Sequence, residues 1–252
     1  MNQELNLPVQ VPLFDNSNYP PNGFDFSSGC AFIVNKPPQW TSFRVVGLIR
    51  KLTGIKKVGH AGTLDPLATG VLIVCVGKAT KQIDRFMATK KSYITTITLG
   101  KTTPSFDSET DISETASYNH VTIEQVKNLI RVEFLGPIEQ IPPMYSAVKH
   151  KGTPLYKMAR IGKTIERKVR FVEIDKCELL NFDLPDIKLD ITCSKGTYIR
   201  TIAYDIGIKL GTVSYMTALE RTASGEFTID QAFDISTLIN VLDPNGKSGI
   251  FI

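Results

Sequence analysis

The chain has 252 residues, of which 42% are hydrophobic and 21% charged. That balance excludes global disorder, and the length suffices to bury a substantial core. The net charge is +4, and no apolar run approaches the roughly 18 to 20 residues of a membrane span.

The first thirty residues lack periodicity, carry Pro8, Pro12, Pro20, Pro21 and Gly23, and offer neither the basic start nor the apolar stretch of a signal peptide. They read as a poorly ordered extension, 1–30. Ala31 to Val34 is a short strand ended by Lys36-Pro37-Pro38. Thr41 or Ser42 caps a helix with Val45, Val46, Ile49 and Leu52 on one face and Gly54 as its stop. A glycine-rich loop, 59–66, leads to the longest apolar stretch, Val71 to Val76, which has the length of a buried strand. Lys78 to Met87 reads as a short helix, and Ser92 to Leu99 as a strand with Tyr93, Thr95, Ile97 and Leu99 on one face.

Residues 101–120 are polar and acidic, the signature of a loop. Thr122 and Gln125 form a capping box for a helix carrying Val126, Leu129 and Ile130. Gly136 to Pro143 breaks the chain, and a short helix fits Pro154 to Ile161. Val169 to Leu180 is strand-like, and Ile187 to Cys193 alternates as a half-exposed strand. A helix bearing Ile199, Ile202, Ala203 and Ile206 stops near Gly211, and a turn-linked strand pair spans 217–227. Strands and helices are interspersed without strict βαβ alternation, which points to an α+β fold with a mixed, mainly antiparallel central sheet flanked by helices and loops.

The charge is unevenly distributed. Residues 149–170 hold eight basic side chains against Glu166 alone, a net +7, and the remainder carries −3. Such a stretch suits a polyanion, although a solvated basic face would look the same. The four cysteines form no Cys-x-x-Cys pair, and the three histidines are too few for a finger-type zinc site. Free thiols in a reducing cytoplasm fit this usage, and no metal site is expected.

Three segments can carry chemistry. Gly59 to Gly70 contains Asp65 immediately before Pro66. That carboxylate is ionised at neutral pH and suits a base or nucleophile, and it equally suits a helix N-cap with Pro at the first helical position. Cys193 to Thr201 brings Tyr198 and Arg200 to the mouth of a strand-turn-helix, where they could stack on a base and pair with an anion, or serve as core and surface residues. Lys90-Lys91-Ser92-Tyr93 runs a basic pair into a strand.

In order, Asn35-Lys36-Pro37 with Thr41-Ser42, then Gly59-His60-Ala61-Gly62-Thr63-Leu64-Asp65-Pro66, Lys91-Ser92-Tyr93, Pro142 to Lys149, and Gly196-Thr197-Tyr198-Ile199-Arg200 resemble the motif set of the TruB-type tRNA pseudouridine synthases. The resemblance covers residues 31–228 and implies the pseudouridine synthase fold. It implies isomerisation of a uridine, U55 of the tRNA T-arm loop, without cofactor or metal, after the base has been flipped out. It gives Asp65 as the essential carboxylate, Arg200 as its orienting partner and Tyr93 as the ring on the uracil. At the substrate it gives His60, which helps displace or replace the flipped base, along with Tyr198, Leu219 as an apolar wall, and Lys36. Residues 149–170 correspond to an RNA-binding loop.

Two departures stand out. Gln39 occupies a position where the family usually has Gly, so the backbone there is expected to differ. Residues 229–252 read as a short tail where many members continue into a PUA-type domain. Three other readings compete: an RNA-binding protein without catalysis, a glycoside hydrolase, which usually needs two catalytic carboxylates, and a guide-RNA-dependent relative similar to dyskerin. The expectation is a monomeric enzyme that acts on the tRNA T-arm without guide RNA or membrane.

Overall fold

A computed structural model describes residues 11–246 and 249. The chain divides into two compact units, one of residues 11–92 and 220–246, the other of residues 93–219. Among the described residues no helix is long and apolar enough to cross a membrane.

The first unit opens with β1 (Leu13–Phe14), which pairs in parallel with β2 (Cys30–Lys36). Then come α1 (Ser42–Thr53), β3 (Val58–His60), β4 (Thr69–Val76), a 3-10 turn and α2 (Ile83–Ala88). Strand β4 lies antiparallel to both β2 and β3. Both β2 and β4 are apolar at consecutive positions because both of their faces are covered. Ala31, Ile33, Val71, Ile73 and Cys75 join Ala61, Ala79, Phe86 and Ala232 in one core cluster. Phe32 instead meets Phe14, Phe26 and Phe233. Thr41 caps α1 through Arg44 N, and Gly54 ends it at φ 69°. The sequence had offered Thr41 or Ser42 for the cap and Gly54 for the stop.

The second unit takes up β5 (Lys91–Leu99) from Tyr93 onward, and continues with β6 (Lys101–Thr102), β7 (Glu114–Thr115), α3 (Ile123–Glu133), β8 (Gly136–Gln140), β9 (Lys149–His150), β10 (Thr153–Pro154), α4 (Leu155–Ala159), β11 (Arg170–Asp183), β12 (Asp186–Cys193) and α5 (Ile199–Lys209). Strand β13 (Ser214–Ser224) begins here, and its last residues belong to the first unit. Strand β11 runs antiparallel to β12 and to β8, and α3 packs on β11. The capping box of Thr122 and Gln125 is present. Thr95 Oγ1 donates to Ala218 O at 2.9 Å, tying β5 to β13.

From residue 220 the chain is back in the first unit. There β13 pairs in parallel with β4 through Glu220 and Arg221, and antiparallel with β14 (Phe227–Thr228). Helix α6 (Ile235–Leu242) buries Leu238. The pairing throughout is mixed and mainly antiparallel, as expected.

Two expectations need correction. Residues 11–30 are not poorly ordered: Asn16 N donates to Gln231 O at 3.0 Å, Tyr19 stacks on Phe233, and Phe14 meets Phe24 edge to face. Their apolar residues lack a period because each fills its own gap. The first ten residues lie outside the described residues. The described part of the expected short tail, residues 229–246, is packed, since Phe233 exchanges backbone hydrogen bonds with Ile33 and Asn35 on β2. Residues 136–140 form a sheet-edge strand in place of the expected break. Pro137 is tolerated there because an edge strand has a free side.

Candidate active site

The turn that carries Asp65 is pinned from three directions within the first unit. Ser42, buried in the first turn of α1, accepts from Leu64 N at 2.9 Å and donates to Leu64 O at 3.2 Å. On the other side of Asp65, Lys36 Nζ donates to Pro66 O at 3.2 Å, to Trp40 O at 2.6 Å and to Pro37 O at 2.9 Å. Arg221 on β13 reaches Gly62 O at 3.3 Å and Val71 O at 2.6 Å. No helix follows Asp65, so the capping alternative does not hold, and Ala68 N returns to Asp65 O at 3.1 Å to close the turn. The carboxylate is half-buried. Two wholly buried cations, Lys36 and Arg221, stand around it in a water-poor setting that strengthens their field.

Lys36, expected at the substrate, supports the turn that carries Asp65. Its side chain is completely buried and its three donors are taken by three carbonyls. Burial drives its ammonium down to about 8, against the opposing pull of Asp65. His60 stands at the end of β3 opposite Val74, its ring edge-on to Phe43 at 5.3 Å. Burial, with Arg221 nearby, lowers its pKa below the ordinary 6.5 and leaves the imidazole neutral at neutral pH. Gln39, the departure from the usual Gly, takes φ 63°, in the left-handed region that suits Gly, so a longer side chain bears strain there.

In the second unit Tyr93 is half-buried on β5 and Leu219 buried on β13. Tyr198 stands at the N-cap of α5, where Gln140 of β8 holds its backbone twice. Tyr198 N donates to Gln140 Oε1 at 2.7 Å, and Gln140 Nε2 donates to Tyr198 O at 3.0 Å. Arg200, on the first turn of α5, is 4% exposed. Its Nη1 lies 3.2 Å from the carboxylate of Asp107 and 3.2 Å from Ser105 O, while Nη2 donates to Tyr145 O at 2.9 Å. Asp107 is wholly buried. Its Oδ1 accepts from Ser105 Oγ at 2.6 Å and from Glu109 N at 2.9 Å, while Oδ2 faces Arg200 without an aligned hydrogen bond, a contact of charge.

Asp107, Arg221 and Gln140 were not singled out in the sequence, and Ser42 stood there as a helix-cap candidate and motif residue without a role at the Asp65 turn. Asp107 sits in a stretch whose polar composition reads as solvated loop, although Thr102, Thr103, Ser105 and Asp107 are all buried. Arg221 had one signal: it lies two residues after Leu219 on β13 and so shares its inward-facing side. Residues 149–170 form a β9–β10 hairpin and α4, and Arg160 pairs with Glu109 at 2.8 Å.

The sequence profile described as TruB family pseudouridylate synthase (N terminal domain) matches residues 50–199. The tRNA pseudouridine synthase B of Parabacteroides distasonis is 48% identical over 88% of this chain and 96% of its own length. The same enzyme from Syntrophotalea carbinolica is 47% identical over 87% of this chain and 71% of its own. Among solved structures, that of a Cbf5-Nop10-Gar1 complex superposes with a TM-score of 0.69 at 25% identity, covering 98% of this chain and 68% of that one. An H/ACA RNP bound to a substrate RNA containing 2′-deoxyuridine gives 0.66 at 23% identity, a likeness of fold.

Proposed function

The chain belongs to the TruB family of pseudouridylate synthases, and from that premise we propose that it converts U55 in the T-arm loop of tRNA to pseudouridine by base flipping, with the Asp65 carboxylate as its essential group. The enzyme is a pseudouridine synthase. The relatives of highest identity described above, whose names specify tRNA, support tRNA as the substrate.

The reaction balances within one nucleotide. The N1–C1′ bond breaks, the base turns, C5 bonds to C1′, the C5 proton departs and N1 gains one. A single anionic group held against the sugar and base, where water is scarce, serves this sequence. The observation that carries the reading is the pinned turn, in which Ser42, Lys36 and Arg221 fix the backbone on both sides of Asp65.

In this reading Arg200 orients the carboxylate, Tyr93 stacks on the flipped uracil, and His60, as a neutral imidazole, occupies the space the base leaves. Tyr198 and Leu219 line the pocket, and residues 149–170 hold the T-arm backbone. The enzyme works without a guide RNA, a reading supported by the high identity to relatives named for tRNA and the lower identity to Cbf5.

The test is incubation of the purified chain with an unmodified T-arm stem-loop, followed by mapping of pseudouridine. Modification at the single expected uridine is predicted, with no added RNA. Asp65→Asn is predicted to abolish turnover while stem-loop affinity stays within about threefold. Turnover by Asp65→Asn would remove the carboxylate from its assigned role.

A further inference from the structure

Between Ser105 and Asp107 the backbone passes through φ 63° at Phe106. Such a conformation is strained for a non-glycine residue and persists only where its surroundings hold it. The surroundings here are a ring. Phe106 stacks on Tyr204 with centroids 4.1 Å apart and planes at 19°. Tyr204 lies four residues after Arg200 on α5 and so shares its face of the helix. The turn therefore grips α5 twice, through Phe106 on Tyr204 and through its neighbours on Arg200. Ser105 O and Asp107 both reach the same nitrogen, Nη1 of Arg200. They can do so together because the left-handed residue between them reverses the chain. Phe106 O also accepts from Met216 N at 3.0 Å, fixing the turn against β13.

We propose that Phe106, stacked on Tyr204, is a positioning residue that sets Asp107 and Ser105 against Arg200 and so fixes the direction of that guanidinium. This rests on the reading above that Arg200 serves the reaction. Phe106 touches neither the substrate nor the carboxylate in this assignment. Its effect passes through Asp107.

The experiment is single-turnover conversion of the unmodified stem-loop, with binding measured separately. Phe106→Gly keeps the left-handed backbone and removes the ring. Its rate is expected to fall about tenfold or more, with the dissociation constant within about twofold. Phe106→Tyr and Tyr204→Phe, which keep the stack, are expected near the parent rate. Tyr204→Leu is expected to match Phe106→Gly, and Phe106→Leu reads the loss of the ring without emptying the site. In an Asp107→Asn background, Phe106→Gly is expected to add less than about twofold, because the two act in series. Parent rates for Phe106→Gly, Phe106→Leu and Tyr204→Leu overturn the proposal, as do losses that multiply in the Asp107→Asn background. If Arg200→Gln turns over at the parent rate, the underlying reading fails. If Arg200→Gln is slow while Phe106→Gly is not, only the positioning role fails.

Discussion

Lys36 illustrates how a basic residue in an active-site motif can act through the backbone. Its ammonium is sealed among three carbonyls, and exchange for Met leaves all three without a donor. Lys36→Met is expected to lower stability by about 2 to 5 kcal/mol in urea unfolding. The pH dependence has a definite sign. The folded pKa is depressed to about 8 from 10.5, so between those values the unfolded chain binds the extra proton and stability rises with pH. The stability gap between the parent and Lys36→Met is therefore expected to widen from about pH 8 to about pH 10. A constant gap would place the ammonium in contact with water. The sequence located Lys36, Asp65 and Arg200 through their motifs. It concealed Asp107, because burial of a carboxylate is decided by a partner 93 positions away, Arg200, and leaves no local period.

At the scale of elements, the close approach of β4 to β13 depends on a residue without a side chain. Gly70 has φ 103°, and a Cβ there would strike the backbone of Arg221. Gly70→Ala is expected to destabilise the chain by about 2 kcal/mol or more and to slow turnover, since Arg221 also holds Gly62. Gln39→Gly removes the strain of a long residue at φ 63°, and a gain of about 0.5 to 1 kcal/mol in thermal unfolding is expected. The elements legible in the sequence were those with a repeating signal. Helices α1, α3 and α5 announced themselves through their 3.6-residue spacing, caps or stops, and β4 and β12 through an apolar run and an alternation. The two-residue β1, the edge strand β8 and α6 gave no such signal, being set by what they pack on or pair with.

For the molecule as a whole, the concentration of +7 in residues 149–170 sets how binding responds to salt. Each phosphate neutralised releases counterions, so the affinity for the stem-loop is expected to fall linearly with salt on logarithmic axes. Reversing Arg167, Lys168 and Arg170 to Glu is expected to lower affinity and flatten that slope, as measured by filter binding across a salt series. An unchanged slope would send the RNA elsewhere on the surface. The α+β class was legible at this scale because strands and helices alternate irregularly along the chain. The division into two units was not, since the first is assembled from both ends of the sequence.

The sealing of Lys36 also makes it a reporter. An amine with a pKa of about 8 is a better nucleophile near neutrality than an ordinary lysine, yet no reagent meets it while Pro37, Trp40 and Pro66 enclose it. Acylation of Lys36 therefore requires that the turn holding Asp65 come apart. Its labelling rate, followed by mass spectrometry, becomes a clock for how often this part of the enzyme breathes.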